Sequence, residues 1–235
     1  MAHVTLAIPS KGRLKEQCEA WLASRGLLVR QTGGERGYSA TLVGFEDVQI
    51  RLASASEIGK ALLAGEVELG ITGEDIVQEA ASDVASRISI EARLGFGRAD
   101  VVVAVPNGWI DVETMADLGE VATDMRRQTG RRFRIATKFT RLTAQFMRDH
   151  HVGDYRIIDS AGATEGAPAA GIAEAIVDIT TSGATLEANA LKVLDDGLIL
   201  KSEACLMRSL GANWNPKSLA SADRLLTQLS LAGKK

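Results

Sequence analysis

Short apolar runs alternate along this chain with stretches whose apolar residues recur at helical spacing. Residues 4–8 form the first run and predict a strand. Leu14, Cys18, Trp21 and Leu22 follow at i, i+4, i+7 and i+8, one face of a helix. Residues 48–52 predict a second strand. Ser56 is then placed to cap a helix running to Leu63, with Gly65 as its terminator. Residues 67–71 predict a third strand, leading into Thr72-Gly73-Glu74-Asp75 and another helix. The run 101–105 is apolar at every position, as in a strand covered on both faces. Residues 133–136 and 175–179 predict further strands, each followed by a polar turn and a helix; 198–200 and 204–207 are strand-like. In the tail, 218–231, Leu219, Ala222, Leu225, Leu226 and Leu229 share one helical face. Strand, turn and helix in repeated succession predict an α/β fold with mostly parallel sheets flanked by helices.

The pattern breaks at Leu94-Gly95-Phe96-Gly97, which predicts a crossing between two lobes. The first lobe is expected to comprise 1–94 with 204–235, the second 95–203. A length of 235 residues is long for one core and comfortable for two. Composition is ordinary for a globular protein, 46% hydrophobic and 24% charged, which excludes a disordered or fibrous chain. With 27 Lys and Arg against 30 Asp and Glu, the net charge of −3 offers no global field to recruit nucleic acid. Any bound anion must be held by local clusters. Cys18, Cys205 and the three histidines (His3, His150, His151) match no metal-ligand spacing, so both cysteines are read as reduced and buried. Residues 1–9 lack the basic and long apolar regions of a signal peptide, and no apolar run approaches the ~20 residues needed to span a bilayer. The expectation is a cytoplasmic protein without membrane or nucleic-acid partners.

Four strand-to-helix junctions carry candidate chemistry. At Asp178-Ile-Thr-Thr-Ser-Gly183-Ala-Thr185-Leu186, a buried strand ends at an acid and gives a hydroxyl-rich turn around one glycine. A phosphate monoester needs several donors converging on one unobstructed spot. Backbone N–H groups and the hydroxyls of Thr180, Thr181, Ser182 and Thr185 supply them. Asp178 is placed to accept from ribose hydroxyls beside that phosphate. An ordinary Ser/Thr/Gly connection has the same composition. Lys11 and Arg13, flanking Gly12, put two cations at a helix start, against the macrodipole; a bound polyphosphate would reverse the sign, whereas a solvated loop tolerates it. Thr137, Lys138 and Thr140 form a basic, hydroxyl-bearing third turn, and the upstream Arg126, Arg127, Arg131 and Arg132 are read as a solvated face. Glu74 and Asp75, after Gly73, offer a helix cap or a magnesium-pyrophosphate contact. Shared between the two lobes, the four turns suggest a ligand with more than one anionic group, bound between them.

The segment 178–186 resembles the phosphoribosyl-pyrophosphate loop of phosphoribosyltransferases. Its wider context is similar to the ATP phosphoribosyltransferase family: Ile8-Pro-Ser-Lys-Gly-Arg-Leu14, Glu68-Leu-Gly-Ile-Thr-Gly-Glu-Asp75, Leu94-Gly-Phe-Gly97, Arg134-Ile-Ala-Thr-Lys138 and 165–186 occur in the family's order. The resemblance implies a two-lobed fold like type II periplasmic binding proteins. It also implies the first reaction of histidine biosynthesis, in which N1 of ATP displaces pyrophosphate from phosphoribosyl pyrophosphate with Mg²⁺ present. Under it, Glu165 and Asp178 hold the ribose, and Thr181, Ser182, Gly183, Ala184 and Thr185 hold the 5-phosphate. Lys11, Gly12 and Arg13 meet the pyrophosphate or nucleotide phosphates, with Gly73, Asp75, Thr137 and Lys138 as further substrate contacts. Asp178, Lys11 and Arg13 are the residues expected to carry catalysis, and Mg²⁺ is expected to come with the substrate phosphates.

Two departures stand out. The family loop often carries Arg where this chain has Ala184, and an Arg common just before the equivalent of Glu57 is replaced by Ser54 or Ala55, with Arg51 or Arg36 as possible substitutes. The length implies the family's short form, which forms homo-oligomers and assembles with a regulatory subunit resembling histidyl-tRNA synthetase. That partner and packing within its own lobe account equally for the apolar face of the tail helix. Two rival readings are a non-catalytic two-lobed solute-binding module and a salvage phosphoribosyltransferase. The second usually shows two adjacent acids where this loop has Asp178 alone.

Overall fold

The computed structural model describes residues 4–31 and 39–231, and the chain divides into two compact units. One unit runs to Gly97 and resumes at Glu203; the other is Arg98–Ser202. The first contains β1 (Val4–Pro9), α1 (Gly12–Ala23), β2 (Val29–Gln31), β3 (Ser39–Leu42), β4 (Phe45–Ala53), α2 (Ala55–Ala64), β5 (Leu69–Gly73), α3 (Glu74–Ala80), α4 (Val84–Arg87) and β6 (Ile88–Arg93). The second contains β7 (Asp100–Pro106), α5 (Met115–Thr129), β8 (Phe133–Thr137), α6 (Thr140–Asp149), β9 (Tyr155–Asp159), β10 (Ala175–Thr180), α7 (Ala184–Ala188) and β11 (Leu191–Leu200). The chain then returns to the first unit as β12 (Ala204–Ser209) and α8 (Pro216–Leu231).

Among the described residues, the first unit's sheet runs β2-β3-β4-β1-β5-β12-β6 and the second's β11-β7-β10-β8-β9. The α/β class is as expected, but both sheets are more mixed than the alternation alone suggests. β4, β1 and β5 are parallel, as are β10, β8 and β9, while β12 inserts antiparallel beside β5 and β7 antiparallel beside β10. Parallel pairs need helical crossovers, and strand–turn–helix patterning reports those. It does not report where a returning strand inserts.

The fully apolar run in β7 is buried on both faces. Val101, Val103 and Val105 pack with Met115, Leu118 and Phe133 on one side, and Val102 and Ala104 with Leu186 and Leu191 on the other. β1 behaves alike, with Leu6 and Ile8 against Cys18 and Leu22 of α1, and Ala7 on the face covered by Ile58 and Leu62 of α2. α1 and α2 thus lie on opposite faces around β1, which makes the carboxyl edge of β4-β1-β5 the place where an open α/β sheet binds ligands. Cys18 and Cys205 are free and buried, and burial pushes each thiol up to about 12, so both remain protonated.

Three boundaries differ from the sequence reading. α2 is capped by Ser54, not Ser56, because Ser54 has Glu57 three residues on. Its hydroxyl accepts from the Glu57 N–H, and the Glu57 carboxylate accepts from the Ser54 N–H at 2.8 Å. Ser54→Ala is expected to cost about 1 kcal/mol, read as a lower denaturant midpoint with unchanged slope. The tail helix begins at Pro216, whose fixed φ suits a first helical position, with Asn215 accepting from the N–H groups of Lys217 and Ser218. Its apolar face belongs to its own unit: Ala222, Leu225 and Leu229 are buried against β1 and β4, while Leu219 stays exposed. Finally, α3 is not capped by an acid; its N-cap is Gly73.

Candidate functional site

In the second unit, three parallel strands end side by side. Val177 of β10 pairs with Thr137 of β8, which pairs with Asp159 of β9. The turns that follow therefore share one sheet edge: 178–183, 137–139 and 159–165. The Asp178 carboxyl is half-buried at this edge and titrates above its usual range. Burial raises it most and Glu165 adds to that, while the Ile179 N–H and the Lys138 charge act the other way without prevailing. Asp178, Lys138 and Glu165, called from three separate segments, are thus brought together electrostatically.

The turn after β10 is built by its own hydroxyls. Thr180 Oγ1 accepts from the Gly183 N–H at 2.9 Å, Thr181 Oγ1 donates to the Arg98 carbonyl at 3.0 Å, and Ser182 Oγ accepts weakly from Ala184 N–H. Gly183 sits at φ 78°, left-handed, and a Cβ there would meet open space, so strain and not collision selects glycine. Ser182, Ala184 and Thr185 are exposed. α7 is only five residues long, so the amides of the turn and first helical residues, unpaired within the helix, outweigh any macrodipole. Two of the hydroxyls proposed for phosphate, those of Thr180 and Thr181, are already engaged in shaping this turn. Thr180 keeps its hydrogen for donation; Thr181 has committed its own.

Thr137 is buried, and its hydroxyl accepts from the Phe139 N–H at 2.8 Å, which exposes Lys138 at the turn's outside. β9 escaped the sequence reading, and from the loop after it only Glu165 was named. Ser160 N–H donates to the Thr137 carbonyl, its hydroxyl lies 3.0 Å from that of Thr164, and Ala163 takes a left-handed φ of 51° just before Glu165. The signal was faint, a half-exposed edge strand followed by small residues.

In the first unit, the turns after β1, β4 and β5 share the corresponding edge. The Ser10 N–H donates to the Ala53 carbonyl at 2.9 Å, and Thr72 Oγ1 donates to the Ala55 carbonyl at 3.0 Å. Lys11 and Arg13 are exposed; Lys11 is the N-cap of α1 without a side-chain cap, Gly12 has φ 72°, and the first turn of α1 holds no acid. The Ser54 hydroxyl and N–H hold the Glu57 carboxyl below its usual range, with the charges of Arg51 and Lys11 contributing. The acid pair divides: buried Glu74 is ion-paired with Arg93 of β6, while Asp75, also buried, lies against Gly73, where a Cβ would strike its carboxylate. Arg51, one possible substitute for the family's arginine, is paired with Glu66 at 3.6 Å; Arg36, the other, lies outside the described residues.

No group of three or more His, Cys, Asp or Glu among the described residues gathers as a metal site, and no helix among them is long and apolar enough to cross a membrane.

The fold is that of the two-domain α/β class that includes periplasmic binding proteins: a histidine kinase sensor domain similar to those proteins superposes with TM-score 0.51 at 13% identity, over 97% of this chain and 87% of that one. A Thermotoga maritima ATP phosphoribosyl transferase (HisG:HisZ) complex gives 0.72 at 23% identity, over 97% of this chain and 98% of the other. The family described as HisG, ATP phosphoribosyltransferase, matches residues 54–230. An ATP phosphoribosyltransferase of Caulobacter vibrioides is 54% identical over 228 residues, 97% of this chain and 71% of the relative. The chain belongs to the ATP phosphoribosyltransferase family, the pentosyltransferases that join ATP to phosphoribosyl pyrophosphate in the first step of histidine biosynthesis.

Proposed function

We propose that the second unit's sheet edge holds the phosphoribosyl group during this reaction, and that Asp178 is its central catalytic residue. The observation that carries this is the meeting of Asp178, Lys138 and Glu165 at the carboxyl ends of β10, β8 and β9, beside a turn opened by Gly183. Displacement at an anomeric carbon builds positive charge on the sugar and negative charge on departing pyrophosphate. Asp178 and Glu165 accept from ribose hydroxyls and face the developing positive charge; the amides of 181–185, with the hydroxyls of Ser182 and Thr185, take the 5-phosphate. Lys138, Lys11 and Arg13 meet anionic phosphates, with Gly12, Gly73, Asp75 and Thr137 shaping those turns. The adenine N1 carries its own lone pair, so positioning suffices and no general base is required.

The chemistry of the donors suits Mg²⁺. Asp178 and Glu165 are hard oxygen ligands, too few for an all-protein cage, which is how Mg²⁺ is bound when substrate phosphates supply the remaining oxygens. When bound, Mg²⁺ neutralises charge on the pyrophosphate. The reading further includes a cytoplasmic enzyme, assembled with itself and with a regulatory subunit of the HisZ kind, which resembles histidyl-tRNA synthetase; the Thermotoga maritima complex supports such a pairing by its description. Pyrophosphate release measured on the purified chain, with and without that subunit, is expected only when ATP and phosphoribosyl pyrophosphate are both supplied. Equal turnover with guanine or hypoxanthine in place of ATP would overturn the assignment in favour of salvage chemistry.

A further inference from the structure

The arginines at the end of α5 are exposed, as the sequence leads one to expect, but they do not all face the same way. Arg127 turns aside and pairs with Asp124 along the helix at 3.3 Å. Arg126, Arg131 and Arg132 instead converge with Arg134 of β8 and Arg156 of β9, which lie side by side in the sheet register, around a cavity of about 530 Å³. This cavity is at the amino-terminal ends of β8 and β9, the opposite end of those strands from Thr137 and Asp159.

Five guanidiniums in one concavity repel one another, and the chain offsets only part of that. Arg134 is held by Glu174, which accepts from its Nη2 at 2.5 Å and from its backbone N–H at 2.7 Å. Burial acts to raise the Glu174 carboxyl, but Arg134 and Arg131 outweigh it and keep the group below its usual range. Arg126 donates to the Gly130 carbonyl, at a helix C-terminus that favours cations. Arg131, Arg132 and Arg156 are exposed and make no ion pair among the described residues, although the chain as a whole carries more acids than bases. Packing and capping account for two of the five; Arg131 has only a longer-range attraction to Glu174, and Arg132 and Arg156 make no ion pair among the described residues.

The geometry points to a second anion site, one that takes the polyphosphate chain of a small molecule, either free pyrophosphate or the triphosphate tail of a nucleotide. Guanidinium forks pair bidentately with phosphoryl oxygens, and several forks around one cavity suit two or three linked phosphoryl groups better than one. The volume falls in the range of small-ligand sites. No aromatic ring lines the cavity, so it offers a base no stacking platform and reads the phosphates alone. An extended nucleic acid needs a basic track beyond the cavity, and the net charge of −3 does not favour one.

The test is calorimetric titration of the full chain with inorganic tripolyphosphate, pyrophosphate and a non-hydrolysable ATP analogue, for wild type and for R131Q/R156Q. Wild type is expected to bind tripolyphosphate at two classes of site. The variant should lose one class, with affinity there down at least about tenfold, and keep its turnover, since neither arginine belongs to the catalytic edge. R131Q/R132Q, confined to a loop, provides the same reading if the first variant is poorly folded. Pyrophosphate binding as tightly as tripolyphosphate would identify the product as the source, and tighter binding of the triphosphates would identify the nucleotide. Identical isotherms for wild type and both variants would overturn the proposal. So would a single-stranded RNA that displaces tripolyphosphate from this site at lower concentration, which would make the patch a nucleic-acid surface.

Discussion

Asp178→Asn is expected to fold normally and to lose about 100-fold in kcat/KM, because a neutral amide cannot balance positive charge on the sugar as the carboxylate does. The same substitution separates function from stability by its pH dependence. Burial lifts the Asp178 carboxyl in the folded state, against the pull of Ile179 N–H and Lys138. A carboxyl raised above its unfolded value, about 3.9, favours folding while protonated, and that contribution is lost as pH rises through the folded value. Wild type should therefore lose stability relative to Asp178→Asn as pH rises above about 4, in paired thermal unfolding curves. Wild-type turnover in the variant would remove Asp178 from the mechanism. A stability difference independent of pH would mean that the carboxyl is not desolvated in solution.

Gly65→Ala is expected to destabilise the first unit by about 2–4 kcal/mol and to lower its unfolding midpoint by roughly 5–10 °C. Gly65 closes α2 at φ 74°, in the left-handed region, and Glu66 N–H returns to the Ala61 carbonyl at 2.9 Å. A helix C-terminus of this kind prefers glycine by about 1 kcal/mol on conformation alone. Here a Cβ would also lie 2.5 Å from the Gly211 carbonyl oxygen, and backbone cannot swing aside as a side chain can. Gly130, which ends α5 at φ 71° with open space where a Cβ would lie, is the internal control: Gly130→Ala should cost only the conformational part. Equal losses at both positions, measured by denaturant unfolding, would show that the Gly211 contact is not made.

That pair of glycines shows what the sequence could and could not disclose. Gly65 was legible as a helix terminator from its neighbours, whereas Gly130 was not singled out. Only the folded chain distinguishes the one with a carbonyl against it. The candidate site divides along the same line. The turn at 178–186 was readable because its devices are local, with Thr180, Ser182 and Gly183 all bonding within three residues. Of the loop at 160–165 only Glu165 was named, through the family resemblance; the rest was not legible, because it matters through contact with Thr137 on a neighbouring strand. Glu74 was read as half of an acid pair at a helix start, yet its role depends on Arg93, brought to it across β12 by sheet pairing.

The sequence by itself determined the α/β class, the fully covered strand β7, the buried face of α1 and the hydroxyl-rich turn at 178–186, since hydrophobic period and turn chemistry act over a few residues. Tertiary structure alone decided strand order, the antiparallel insertion of β7 and β12, the gathering of Asp178 with Lys138 and Glu165, and the convergence of five arginines from four segments. A period states which face of an element is buried but not which element covers it. That choice is made by long-range register and packing.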